Sequence, residues 1–133
     1  SSNVAEHIPN PWVMGEEMLR VTKPGGLVVL SYTVWLGPFG GHETGLWEHY
    51  VGGEFARDRY TRHHGHPPKN VFGTSLFALP ARERLDWARR VASQGSQLVA
   101  AFPRYHPWWA WWVTKVPVLR EFLTSNLVLV LRA

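Results

Sequence analysis

Lys23-Pro24-Gly25-Gly26, followed without a break by Leu27-Val28-Val29-Leu30, is the stretch that most limits what this chain can fold into. Proline does not continue a helix and paired glycines favour a turn, so whatever precedes must stop here. The four apolar residues that follow show no alternation with polar ones. Such a run reads as a strand buried on both faces, the habit of parallel sheets covered by helices. Upstream, Met14, Met18 and Val21 recur at helical spacing with Leu19 beside them. Asn10 is a candidate cap, and Pro11 suits the first helical position. Glu16 and Glu17 toward the start and Arg20 near the end agree with the helix dipole. Helix, turn and buried strand are part of a βαβ unit, and the expected fold class is α/β.

Residues 34–80 have a different texture. "VWLGPFGGHETG" is rich in glycine and reads as a loop, and "LWEHYVGGEFARDRYTRHHGHPP" has room for one or two short helices. An interruption is expected at Gly52-Gly53, and Pro67-Pro68 is expected to end any helix there. Core patterning returns at Pro80. Leu85, Ala88 and Val91 or Ala92 share one face of a helix that Gly95 closes, with arginine and glutamate expected elsewhere. A strand in "SQLVAAFPRY", a helix begun at Pro117 and a fully apolar strand in "NLVLVLRA" complete the chain. The last strand is expected to have neighbours on both sides and cover on both faces.

The 133 residues make one ordinary domain. With no cysteine, disulfides, thiolate metal sites and a cysteine nucleophile are excluded, and a reducing, cytoplasmic compartment is expected. No apolar run has the length of a bilayer span. The net charge of +4 rests on arginines scattered at Arg57, Arg59, Arg62, Arg82, Arg84, Arg89 and Arg90. Scattered charge reads as solvated surface, and without zinc-finger or RNA-binding spacing no nucleic-acid partner is expected. Of the eight tryptophans, Trp108, Trp109, Trp111 and Trp112 are clustered. On an α-helix, Trp108, Trp111 and Trp112 would share a face and Trp109 would point elsewhere.

The segment "SSNVAEHIPNPWVMGEEMLRVTKPGGLVVLSY" resembles the C-terminal half of class I S-adenosylmethionine-dependent methyltransferases of the small-molecule type. The resemblance is carried by "AEHI" at 5–8 and "LRVTKPGG" at 19–26, with Thr22 where leucine is commoner. "KVPVLREFLTSNLVLVLRA" is similar to that family's closing helix and strand. It implies a partial Rossmann-like sheet: the end of strand 4, a helix, strand 5, a variable insertion, a helix, and strands 6 and 7, the last antiparallel and beside the fifth. Residues 1–33 and 81–133 would form the domain and 34–80 the variable acceptor-binding region. The family's G-x-G-x-G loop and the acidic residue that holds the cofactor ribose have no counterpart here. The expectation is therefore a second half, completed by a missing N-terminal half or a homodimer partner.

By the same resemblance Ser1, Ser2, Asn3, Val4 and His7 border S-adenosylmethionine. Tyr32, Trp35, Phe39, His42, Trp47 and Tyr50, with Phe55, are candidates for a pocket around a small, apolar acceptor. His7 and His42 are the candidate catalytic residues. A base that removes the acceptor proton suits methyl transfer to oxygen or nitrogen. The competing role for His7 is positioning or capping, and Ser2 and Asn3 have the competing role of satisfying backbone at a strand end. His42 and Glu43 lie on a glycine-rich loop that would serve either as a lid or as solvated surface. His49, His63, His64 and His66 lack the ligand spacing of a metal site, and no metal is expected. Two other readings stand beside methyl transfer. One is a non-catalytic interaction module that needs a partner half or a homodimer; the other is contact with a membrane surface through tryptophan and arginine.

Overall fold

The computed structural model describes residues 1–133. A 3₁₀ turn at Ala5–His7 leads into α1 (Pro11–Val21) and then β1 (Leu27–Thr33). A second 3₁₀ turn at His42–Thr44 precedes α2 (Glu48–Val51) and α3 (Gly53–His64). Then come α4 (Ala81–Ser93), β2 (Gln97–Pro103), a 3₁₀ helix at Trp108–Lys115, α5 (Pro117–Leu123) and β3 (Asn126–Arg132).

The sheet is small and antiparallel, in the order β1-β3-β2. β3 pairs antiparallel with β1 from Leu27↔Arg132 to Thr33↔Asn126, and antiparallel with β2. The expected parallel pairing of whole strands is therefore not what the core uses, because the last strand returns between the other two. Its antiparallel place against β1 is the one the resemblance implies. The single parallel element at this edge is a bridge between Ser2 and Ser31 on the free side of β1. The Lys23–Gly26 turn is fastened to the end of β3. Gly25, with φ of 78°, donates its N–H to Ala133 at 2.8 Å, and Ala133 donates back to Gly26 at 3.0 Å. The left-handed backbone at Gly25 is open to glycine at little cost.

Register decides which residues meet. Val28, Leu30 and Tyr32 stand opposite Leu131, Leu129 and Leu127, so these six share one face. That face is the core, filled by Leu85, Trp87, Ala88 and Val91 of α4, with Trp12, Met14, Met18 and Leu19 of α1 packed against it. The expectation that β1 is buried on both faces does not hold. Leu27 and Val29 are 57% and 45% exposed, because α1 and α4 both lie on the same side of the sheet. β3 has strands on both sides, and its core-facing leucines are buried.

Helix details correct several other expectations. Asn10 makes no side-chain cap bond to α1, although Pro11 does occupy the first turn. Val21 turns out to solvent, and the inner face instead includes buried Gly15. A Cβ at Gly15 would lie 2.5 Å from Trp87, so a bare glycine lets α1 close onto α4. α2 and α3 are broken at Gly52 as expected, but α3 ends at left-handed Gly65, before the prolines. Arg84 is not on the outer face of α4. It is buried, with its guanidinium 3.8 Å from the centre of the Trp12 ring and 5.3 Å from that of Tyr32. Burial pushes its pKa down to about 10, which leaves it charged at neutral pH, where the aromatic faces offset part of the desolvation cost.

The tryptophan segment is a 3₁₀ helix. Its period of three puts Trp108 over Trp111 and Trp109 over Trp112, so the α-helical grouping expected from sequence is replaced. All four rings keep substantial exposure, and Val113 and Thr114 are the buried residues of the element. Trp111 alone stacks on the sheet, with its ring 4.3 Å from that of Phe102 at 14° between planes. No helix is long and apolar enough to cross a membrane.

Candidate functional site

Glu6, His7 and His42 come together at the C-terminal end of β1. The Ala5–His7 turn follows Asn3, whose backbone is left-handed with φ of 53°. Asn3 is held there from both sides. Its N–H donates to Ser31 at 2.8 Å, and its Oδ1 accepts from Asn126 Nδ2 at 2.7 Å. The tight turn drives Glu6 inward, to 1% exposure. There Glu6 Oε1 accepts the Thr33 N–H at 3.1 Å, and Oε2 has no partner. A buried polar atom left unpaired costs about 1–3 kcal/mol, more when charged.

His7 is oriented by a different contact. Its Nδ1 lies 2.6 Å from the Ser75 carbonyl oxygen, a contact in which Nδ1–H donates, so that in the neutral ring Nε2 carries the free lone pair. His42 faces it, with ring centres 5.3 Å apart and 60° between planes. The His42 backbone is also left-handed, with φ of 52°, an uncommon conformation outside glycine. Its Nε2 is buried without a partner. Burial holds the His42 pKa below the ordinary histidine value, against an opposing pull from Glu6, so the ring is neutral at physiological pH.

One segment, residues 70–77, braces the backbone or side chain at each of the three positions. Phe77 donates its N–H to the Glu6 carbonyl at 2.8 Å, and the Ser75 carbonyl orients His7. Asn70 donates N–H and Nδ2–H to the Glu43 carboxylate at 2.6 and 3.0 Å, which anchors the turn that carries His42. The loop expected to be either a lid or solvated surface is thus tied down at Glu43 and braced by Thr44 Oγ1 donating to Gly41 at 2.7 Å.

The other candidates spread over the surroundings. Ser1, Ser2 and Asn3 run beside β1, where Ser2 Oγ accepts from Ser31 Oγ at 3.2 Å and from Arg104 at 2.9 Å. Val4 is 43% exposed next to them. Tyr32 is not at the surface. It is fully buried, its hydroxyl donates to the Pro80 carbonyl at 3.4 Å, and burial pushes its pKa well up. Trp35 packs on His49 and Phe72 at 5.7 and 5.0 Å. Tyr50 packs tilted against His49 at 4.1 Å, while Phe39 and Trp47 are largely exposed, the latter beside Phe55 and Arg59. His49 is itself buried and donates Nε2–H to the Gly37 carbonyl. His63, His64 and His66 cluster around Tyr60 on the surface and do not gather with His49. Glu6 and Ser75 were not singled out from sequence. The only signal for Glu6 was its place before His7 in "AEHI", and Ser75 acts through its backbone carbonyl, which no side-chain pattern reveals.

No family model matches the chain. Curated relatives do match. It is 70% identical over 132 residues to a protein described as an uncharacterized methyltransferase of Mycobacterium sp. (strain KMS), covering 99% of this chain and 50% of that protein. It is 72% identical over 131 residues to one so described from Mycobacterium tuberculosis, covering 98% of this chain and 50% of the relative. A third, from Mycobacteroides abscessus, is 68% identical over 132 residues, with 49% of its length covered. The chain spans about half the length of the curated relatives it matches.

Proposed function

We propose that this chain forms the acceptor side of an S-adenosylmethionine-dependent methyltransferase that acts on a small, apolar molecule. The observation that carries the reading is identity near 70% to proteins named methyltransferases, over nearly the whole chain. The site supports it. In the mostly parallel sheet that the family resemblance implies, ligands bind beyond the C-terminal ends of the strands, and Glu6, His7 and His42 gather at that end of β1.

The residues present fit one flank of the cofactor. Half-exposed Val4 offers an apolar wall, and Ser1–Asn3 follow the sheet edge beside it. A glycine-rich loop for the rest of the cofactor is absent from this sequence, so the reading requires a second segment, either an N-terminal half or the other copy of a homodimer. When bound, S-adenosylmethionine supplies an electrophilic methyl group on sulfur. The chain's own part is to orient the acceptor and receive its proton. His7 is prepared for this, since the Ser75 carbonyl holds Nδ1–H and leaves Nε2 to accept. Neutral His42, 5.3 Å away, offers the acceptor a second nitrogen without adding charge. Trp35 and Phe72 form an aromatic floor from the same insertion, with Tyr50 packed against His49 alongside.

Calorimetric titration of the full-length protein with S-adenosylmethionine tests the reading. Saturable binding, with His7→Gln lowering methyl transfer about 10²–10⁴-fold, far more than it lowers cofactor affinity, is the expected outcome. A full-length protein that does not bind the cofactor sinks it and leaves the non-catalytic interaction module.

A further inference from the structure

We propose that Glu6, His7 and His42 bind one divalent transition-metal ion of the zinc type. One ligand atom from each lies within 4.8 Å of the others, and no other set of three histidine or acidic side chains in the molecule does this. Two imidazoles and one carboxylate are a donor set that zinc and ferrous iron both use, with three protein ligands and an open position. At bond lengths of about 2.0–2.2 Å, tetrahedral ligands stand about 3.4 Å apart, so small side-chain rotations close the set around an ion.

Three observations beyond residue type point to a ligand. Glu6 is almost wholly buried, yet Oε2 has no donor, and Arg84, the buried cation whose field it shares, makes no hydrogen bond to it. His7 donates Nδ1–H to a backbone carbonyl at 2.6 Å, the outer contact that metal-ligating histidines make to fix the ring and free Nε2. His42 holds a buried, unpartnered Nε2 on a left-handed backbone opposite His7. Strained backbone of this kind persists where the surroundings over-determine it, and here Glu43 and Asn70 do so. A cation would give the free carboxylate oxygen and both free nitrogens a common partner.

The binding itself stands apart from methyl transfer. Its consequence rests on that reading: with His7 Nε2 on the ion and no longer the base, an acceptor hydroxyl in the open position would lose its proton more readily beside the cation, the proton passing to solvent. The test uses Zn²⁺ alone, added to metal-stripped full-length protein and followed by calorimetry and by metal content after gel filtration. One Zn²⁺ per chain is expected, with affinity lowered at least about tenfold in both Glu6→Gln and His42→Gln. A His63→Asn, His64→Asn, His66→Asn triple variant should bind as the parent does. Should Glu6→Gln fail to fold, the less buried His42→Gln decides. No stoichiometric Zn²⁺, or Zn²⁺ lost from the triple variant and kept by His42→Gln, overturns the proposal. Zn²⁺ bound without any binding of S-adenosylmethionine would instead sink the methyltransferase reading and leave this one standing.

Discussion

His49 donates Nε2–H to the Gly37 carbonyl from a buried position, and burial holds its pKa below the ordinary 6.5. The unfolded chain therefore takes up a proton in a window where the folded chain does not. The associated stability is fully present above about pH 6.5 and is lost as pH falls through the depressed native value. Thermal melts at pH 7.5 and 5.5 should show a larger drop for the parent than for His49→Gln; equal drops would remove the basis for this claim. Side chains of this sort divide by how local their cause is. His7 was readable as a site candidate because it sits in a short motif. Glu6 was not, because its role comes from Thr33 and His42, which lie 27 and 36 positions away. Arg84 falls at the helical spacing of Ala81, Leu85, Ala88 and Val91, so periodicity placed it inside while its charge argued for outside. The ring of Trp12 resolves that conflict, and it belongs to another helix.

Among the elements, α4 shows how a helix can be well patterned and still draw its cap from elsewhere. Pro80 offers no side-chain cap. The carboxylate of Glu121, in α5, accepts the Ala81 N–H at 2.7 Å and the Arg82 N–H at 2.8 Å. It thus satisfies two donors at the positive end of the helix dipole. Glu121→Ala should cost about 1–2 kcal/mol in urea unfolding, with Glu121→Gln recovering part of it. A neutral Glu121→Ala would mean that water caps the helix as well. The positions of helices and strands were legible because turns at glycine and proline break the chain cleanly. Strand environment was less so. An unbroken apolar run such as Leu27–Leu30 does not say which faces are covered, since that depends on where α1 and α4 dock. Nor does a tryptophan-rich stretch announce a 3₁₀ helix, which differs from an α-helix by one hydrogen-bond step.

For the molecule as a whole, the two faces of the sheet are covered to different extents. Helices α1 and α4 close the side that holds Leu127, Leu129 and Leu131. On the other side Trp111 stacks on Phe102 and Val128 is buried, while Val29 remains 45% exposed. If the remaining length of the relatives packs there, Val29→Lys should shift stability by less than about 0.5 kcal/mol in this chain. In a full-length relative the same change would bury a charge and cost several times more. Equal, small effects in both would show that the face stays in water.

The short segment at residues 70–77 has a temporal consequence. His7 and the Ser75 carbonyl that orients it are 68 positions apart, and the intervening chain must close before either histidine is aimed. Closing so long a loop is entropically costly and contributes nothing until the far contacts form. The site therefore depends on a chain closure of its own, separate from the longer one that seats β3 beside β1. A ligand that binds there would select only molecules whose distant parts have already met.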